Sequence, residues 1–261
     1  MDDAERILNV AVQAARKAGE ILQSWASRFT VSEKGPSDLV TEADLASQAA
    51  IVEAVTAAFP EHDLLGEENL SAIRGTSGYR WIIDPLDGTS NYVHRFPYYC
   101  VSIGVEQHGR PRVGVVFDPN RDELFVASAG HGATLNGKPI RPTVTPRLDD
   151  AFLVASLPRR ASATDCAMRR FVKAVPLAES VQRTGSAALN LAYVACGRID
   201  TFWSSSLKPW DMAAGALLVT EAGGRISSVD GADFSVDGNE IVASNGTGLH
   251  DAVVELLRAE S

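Results

Sequence analysis

Residues 81–92 read Trp81-Ile82-Ile83-Asp84-Pro85-Leu86-Asp87-Gly88-Thr89-Ser90-Asn91-Tyr92. The apolar run Trp81-Ile82-Ile83 has the character of a short buried strand. That strand delivers Asp84, Pro85 is expected to stop its hydrogen-bonding ladder, and Asp87 follows three residues after the first acid. Gly88-Thr89-Ser90-Asn91 then reads as the start of a short helix, with small residues and free backbone N–H groups. Two carboxylates beside a row of amide donors make a place for a divalent cation and a phosphate together. Asp, Pro and Gly are common in turns, so the pair of acids alone says little; the full string is much rarer.

Three more segments extend the pattern: Gly66-Glu67-Glu68 after Leu64-Leu65, Asp38-Leu39-Val40-Thr41 followed by Asp44, and Trp210-Asp211. The last opens a helical pattern through Ala213, Ala214 and Gly215 to Glu221-Ala222-Gly223-Gly224. In order and spacing, these segments and the 81–92 string resemble the inositol monophosphatase family of magnesium-dependent, lithium-sensitive phosphatases. The resemblance spans nearly the whole chain. It implies an α/β layered fold, the α/β/α/β/α sandwich of the inositol monophosphatase and sugar phosphatase type.

Composition sets bounds consistent with this. At 261 residues and 45% apolar content, the chain can bury a core as one large domain or two intimate halves. No stretch approaches the roughly 20 apolar residues that span a bilayer. The acidic start, Met1-Asp2-Asp3-Ala4-Glu5, is unlike a secretory signal. Cys100, Cys166 and Cys196 lack C-x-x-C spacing, which argues against a disulfide framework or structural zinc and fits a cytoplasmic setting. A formal charge of −9 argues against nucleic acid as the main partner. It also opposes binding of a phosphate ester unless divalent cations invert the local sign.

Periodicity places helices at residues 3–25, 44–59, 165–175, 186–196, 209–222 and 247–258. Strands are expected at 64–66, 79–84, 99–106, 112–117, 124–127, 152–156, 181–183, 201–203, 224–228 and 240–244. Asn136-Gly137 is a tight-turn signal. Residues 141–150, with Pro142 and Pro146, form the one plausible internal boundary. They divide the chain into 1–145, carrying most of the candidate ligands, and 146–261, completing the site. An antiparallel-rich first half and an alternating second half suit a layered α/β architecture.

Glu67, Asp84, Asp87 and Asp211 sit at expected strand ends or helix starts. Gathered at one site, two such charges about 4 Å apart repel by roughly 4 kcal/mol at an effective dielectric near 20. Protonation or bridging cations must relieve that. An all-oxygen donor set favours Mg²⁺ over Zn²⁺.

By resemblance, Glu67, Asp84 and the Leu86 carbonyl hold one ion and Asp84, Asp87 and Asp211 a second, with a third, weaker site near Glu67. The resemblance implies water as the nucleophile, oriented and deprotonated by Glu67 and Thr89 in company with Asp44, which acts through Thr41. It places the phosphate against the amides of Gly88 and Thr89, with Asp87 and Asp211 also facing the substrate. Gly185-Ser186-Ala187 resembles the segment that contacts the substrate's hydroxyls. The family's inositol-binding Glu is replaced here by Ser204, a shorter and weaker partner, while Lys208 adds a cation that could meet a second acidic group. Lys34 and His94 are weaker candidates.

The activity implied is phosphomonoester hydrolysis of a small polyol or inositol monophosphate. Histidinol phosphate and fructose 1,6-bisphosphate are the alternative substrates, and a non-catalytic phospho-ligand sensor is the alternative class. Homodimerisation is expected by resemblance. Neither Ser/His/Asp nor Cys/His catalysis has support, and Gly223-Gly224 forms no dinucleotide fingerprint.

Overall fold

The computed structural model describes residues 3–35, 38–68, 70 and 75–258, with the side chains of 33–39 left aside. The first helix, α1 (Asp3–Trp25), buries Ile7, Ala11, Ala14, Ala15, Ala18 and Leu22, one stripe at helical spacing. An antiparallel pair, β1 (Val31–Gly35) and β2 (Asp38–Thr41), follows. Then comes α2 (Glu42–Ala58), capped at its start by Thr41. The helix begins two residues before its expected start because the Thr41 hydroxyl accepts the Ala43 N–H while Asp44 reaches back to the Thr41 N–H.

Seven strands form the first sheet in sequence order. They are β3 (Asp63–Gly66), β4 (Tyr79–Asp87), β5 (Cys100–Gln107), β6 (Arg110–Asp118), β7 (Glu123–Ser128), β8 (Ala133–Leu135) and β9 (Lys138–Pro139), with the short helix α3 (Thr89–Val93) after β4. Only β3 and β4 pair in parallel; each later neighbour is antiparallel. Asn136 and Gly137 turn between β8 and β9 with φ of 49° and 76°, as a tight hairpin demands.

The second sheet has the order β11-β10-β12-β14-β13. Its strands are β10 (Phe152–Ala155), β11 (Ser180–Gln182), β12 (Thr201–Ser204), β13 (Arg225–Ser227) and β14 (Ile241–Ser244). The helices of this half are α4 (Cys166–Ala174), α5 (Ala187–Ala195), α6 (Pro209–Ala222) and α7 (Leu249–Arg258).

The layers follow from which faces are apolar. α1 and α2 cover one face of the first sheet, burying Ile51 and Val55 with Trp81, Ile83 and Val115. α5 and α6 lie between the sheets, where Leu191 and Leu218 meet Val116 and Phe125 from one side and Phe202 and Ile241 from the other. α7 closes the far face with Val253 and Leu257 against Leu153 and Val242, and α4 packs beside it. The result is the expected layered α/β sandwich. Among the described residues, no helix is long and apolar enough to cross a membrane.

Two features position the site. First, β4 does not stop at Pro85, contrary to expectation. Asp84 pairs with Ser102 and Asp87 with Cys100, so one extra residue is accommodated between them. Side chains three apart on a regular strand point to opposite faces; this bulge restores the parity and turns both acids to one side. Second, α6 sits very close to the sheet. A Cβ on Gly104 would lie 2.6 Å from Ala213 Cβ, and one on Gly114 would lie 2.6 Å from the Ala214 carbonyl oxygen. Only glycine on β5 and β6 allows this approach, which brings the start of α6 down beside the end of β4.

Candidate metal centre

Asp84, Asp87 and Asp211 each present a carboxylate oxygen, all within 4.8 Å of one another. Asp84 and Asp87 come from the bulged end of β4, and Asp211 from the first turn of α6. The Ser102 hydroxyl donates to the Trp210 carbonyl at 3.3 Å, fastening that helix start to β5. Glu67 immediately follows β3, the strand beside β4, and its charge acts on all three acids.

Each acid is held in place from behind. Asp84 Oδ1 accepts the Leu86 N–H at 3.0 Å. Asp211 Oδ2 accepts the Lys208 N–H at 2.7 Å. Asp87 Oδ2 accepts from the Ser186 hydroxyl at 2.6 Å and the Ala188 N–H at 2.7 Å, with Cys100 Sγ at 3.8 Å. Asp44 Oδ2 accepts from both the N–H and the hydroxyl of Thr41, at 2.9 and 2.6 Å. Thr89 Oγ1 lies 3.4 Å from Asp44 Oδ1 and 3.2 Å from the Leu86 carbonyl oxygen, so its one hydrogen has two acceptors.

Burial and crowding raise the carboxyl pKa values. Burial pushes Asp84 well above the ordinary range, and the charges of Glu67, Asp87 and Asp211 push it further. Asp211 is raised first by burial and then by Asp87. Asp87 is raised by burial against the opposing hydrogen bonds of Ser186 and Ala188. Asp44 is pushed by burial up to about 6. Buried oxygens that raise one another's proton affinity and share one small volume form a donor set fitted to a hard divalent cation.

The substrate-side candidates divide. Gly88 and Thr89 open α3 directly after Asp87. Ser186 and its neighbours serve Asp87, and Gly185 packs on Asn91, whose side-chain amide bonds the carbonyls of Tyr98 and Thr184 at 2.7 and 2.8 Å. Ser204 is fully buried at the end of β12, where its oxygen faces the Ser206 N–H at 3.4 Å. His94 is exposed beyond α3, and the Lys34 side chain lies outside the described residues.

Three neighbours carry no sequence signal. The Ser47 hydroxyl donates to the Pro85 carbonyl at 2.9 Å and holds the bulge. Cys100 stands opposite Asp87 across the ladder. Arg159, on the loop after β10, places Nη2 3.9 Å from Glu67 Oε1.

Comparison with known proteins follows the same lines. The model of the inositol monophosphatase family matches residues 3–261. The chain is 43% identical to the Nus factor SuhB of Escherichia coli K12 over 245 residues, 92% of this chain and 91% of that one. It is 41% identical to inositol monophosphatase 2 of Solanum lycopersicum over 261 residues, covering 97% and 98%. The structure of the inositol monophosphatase from Anabaena superposes with a TM-score of 0.88 at 38% identity, covering 99% and 97%. An IMPase/NADP phosphatase complexed with Mg²⁺ and phosphate superposes at 0.87 with 25% identity, covering 99% and 97%. With its acids converging as the motifs imply and its whole length matched, this chain belongs to the inositol monophosphatase family.

Proposed function

We propose that the chain is a Mg²⁺-dependent phosphomonoesterase for small polyol phosphates, inositol monophosphate among them. The convergence of Asp84, Asp87 and Asp211 from two distant segments carries this reading. The structural relative that holds Mg²⁺ and phosphate supports it. Glu67, Asp84 and the Leu86 carbonyl would hold one ion, and Asp84, Asp87 and Asp211 a second, with a third, weaker site near Glu67 expected from the family resemblance. Bound there, magnesium supplies positive charge to the phosphoryl oxygens and lowers the pKa of water.

The protein's own groups do the rest. Thr89 Oγ1, 3.4 Å from Asp44 Oδ1, orients the attacking water and passes its proton toward Asp44. That carboxylate, held in place by the N–H and hydroxyl of Thr41, is within reach of Thr89 to accept the proton as a general base. Glu67 would help to orient the same water. The amides of Gly88 and Thr89 bind phosphoryl oxygens, and Asp87 and Asp211 line the same face. Residues 185–187 border the substrate. With Ser204 in place of a longer acid, inositol is not favoured over other polyols. Residues 1–145 would supply most of the site and 146–261 complete it, in a cytoplasmic homodimer that light scattering would detect.

Phosphate release from inositol 1-phosphate, histidinol phosphate and fructose 1,6-bisphosphate, with and without Mg²⁺, tests the proposal. Magnesium-dependent release from at least one is expected. Release insensitive to EDTA, or none, overturns it. The similarity to the Nus factor SuhB favours a second reading, action through a partner rather than through catalysis. A D87N variant that loses turnover yet keeps the cellular role of the chain would favour that reading.

A further inference from the structure

We propose that Arg159 binds a second acidic group on the substrate, so that the preferred esters carry a carboxylate or another phosphate beyond the one that is cleaved. This rests on the phosphatase reading and names the substrate class for it.

Asp84 and Asp87 form the buried part of the site, 1% and 8% exposed, with Asp211 and Glu67 half-buried beside them. Arg159 is the exposed neighbour of this cluster on the side of Glu67. Its side chain is 53% exposed and its Nη2 lies 3.9 Å from Glu67 Oε1, which is itself 15% exposed. Its positive charge also reaches Asp211. The guanidinium comes from the loop after β10 in the second sheet, and Glu67 from just after β3 in the first, so the pair joins segments that follow the two sheets. Lys208, exposed and bonded through its own N–H to Asp211, adds a second cationic residue on that side.

Charge balance gives this cation a task. Glu67, Asp84, Asp87 and Asp211 bring four negative charges and the cleaved phosphoryl group about two more, which even three divalent ions only neutralise. Further negative charge on a substrate needs a cation from elsewhere. A half-exposed ion pair of this length is worth at most about 1 kcal/mol, so Arg159 exchanges Glu67 for another anion at little cost. Its planar fork of five donors fits a carboxylate or phosphate with two parallel bonds. Because the phosphoryl group would lie against the buried acids, the exposed guanidinium is left for another part of the ester. Ser204, fully buried, offers that end no charge.

The test uses two phosphonates that cannot be hydrolysed, 4-phosphonobutyrate and butylphosphonate, which differ by one carboxylate. Each is titrated calorimetrically into the full-length protein with saturating Mg²⁺. The wild type is expected to bind the carboxylated compound roughly tenfold more tightly, the ratio expected of one charge-assisted pair. R159Q removes that preference, and R159K keeps part of it. Equal affinities in the wild type, or a preference that survives in R159Q, overturn the inference. A chain that releases phosphate from no ester fails the phosphatase reading instead, and the phosphonate ratio still decides the role of Arg159.

Discussion

Ser186 donates its hydroxyl hydrogen to Asp87 Oδ2 at 2.6 Å, joining residues 99 positions apart in the chain. One oxygen of Asp87 is thereby fixed against α5, and the other is left for the acid cluster. Loss of a hydrogen bond that orients a metal-ligating carboxylate commonly costs 10–100-fold in affinity or rate. S186A should keep its fold, because Ala188 N–H still bonds Asp87. Its Mg²⁺ affinity and kcat/KM should each fall by roughly tenfold or more. Calorimetry and steady-state kinetics check this; wild-type values for both would show that Asp87 needs no such support.

The close seat of α6 makes a second prediction. In G114A the new methyl group would meet the Ala214 carbonyl, a backbone atom that cannot swing aside. The helix must lift, at a cost of about 2 kcal/mol. Asp211, one turn earlier on the same helix, moves with it. Displacements near 1 Å at a catalytic centre can cost 10²-fold, so activity per folded molecule should drop further than stability alone explains. A melt combined with active-site kinetics separates the two effects.

Much of this arrangement is legible in the sequence because each acid sits where periodicity changes. The apolar run ends at Asp84, and a helix with Pro at its first position begins just before Asp211. The layered fold follows from the same periodicities. Three things are not legible. Pro85 has the chemistry of a strand terminator, yet Ser47 bonds its carbonyl and the ladder continues past it as a bulge. Local propensity cannot reveal a partner from α2. Arg159 looks like one of two surface arginines, since only the meeting of the two sheets brings it to Glu67. The pair β1 and β2 also goes unread, because Gly, Pro and charged residues there resemble a loop.

His250 carries a pH prediction for stability. It is fully buried on α7, with Nε2 3.0 Å from Ser227 Oγ and Nδ1 2.8 Å from Ser244 Oγ. Burial first, then the charge of Arg225, lowers its pKa from 6.5 to about 4. The unfolded chain therefore binds the proton more readily between pH 6.5 and 4. Stability from the neutral imidazole is complete above that window and is lost as pH falls through it, by on the order of 3 kcal/mol. Urea unfolding at pH 7 and pH 4.5 should show a steeper loss in the wild type than in H250N. Parallel losses would mean that this histidine titrates normally.

The carboxylates of the site act in the opposite direction, which links metal binding to stability. Without metal, Asp44 is raised to about 6 and Asp211 to about 8, both first by burial, while Asp84 is raised by burial and its acidic neighbours. The folded chain then holds more protons than the unfolded one, so metal-free stability declines as pH climbs from about 4 toward 8. Mg²⁺ bound at the proposed site would replace those protons, and its stabilising effect should grow across the same interval. Melts with EDTA or Mg²⁺ should show a larger rise in Tm at pH 8 than at pH 6. D84N removes one buried charge yet can still accept the Leu86 N–H. In EDTA at pH 8 it should be more stable than the wild type, while gaining little from Mg²⁺ and losing turnover. A metal-free D84N that melts below the wild type would mean that these acids do not strain the fold.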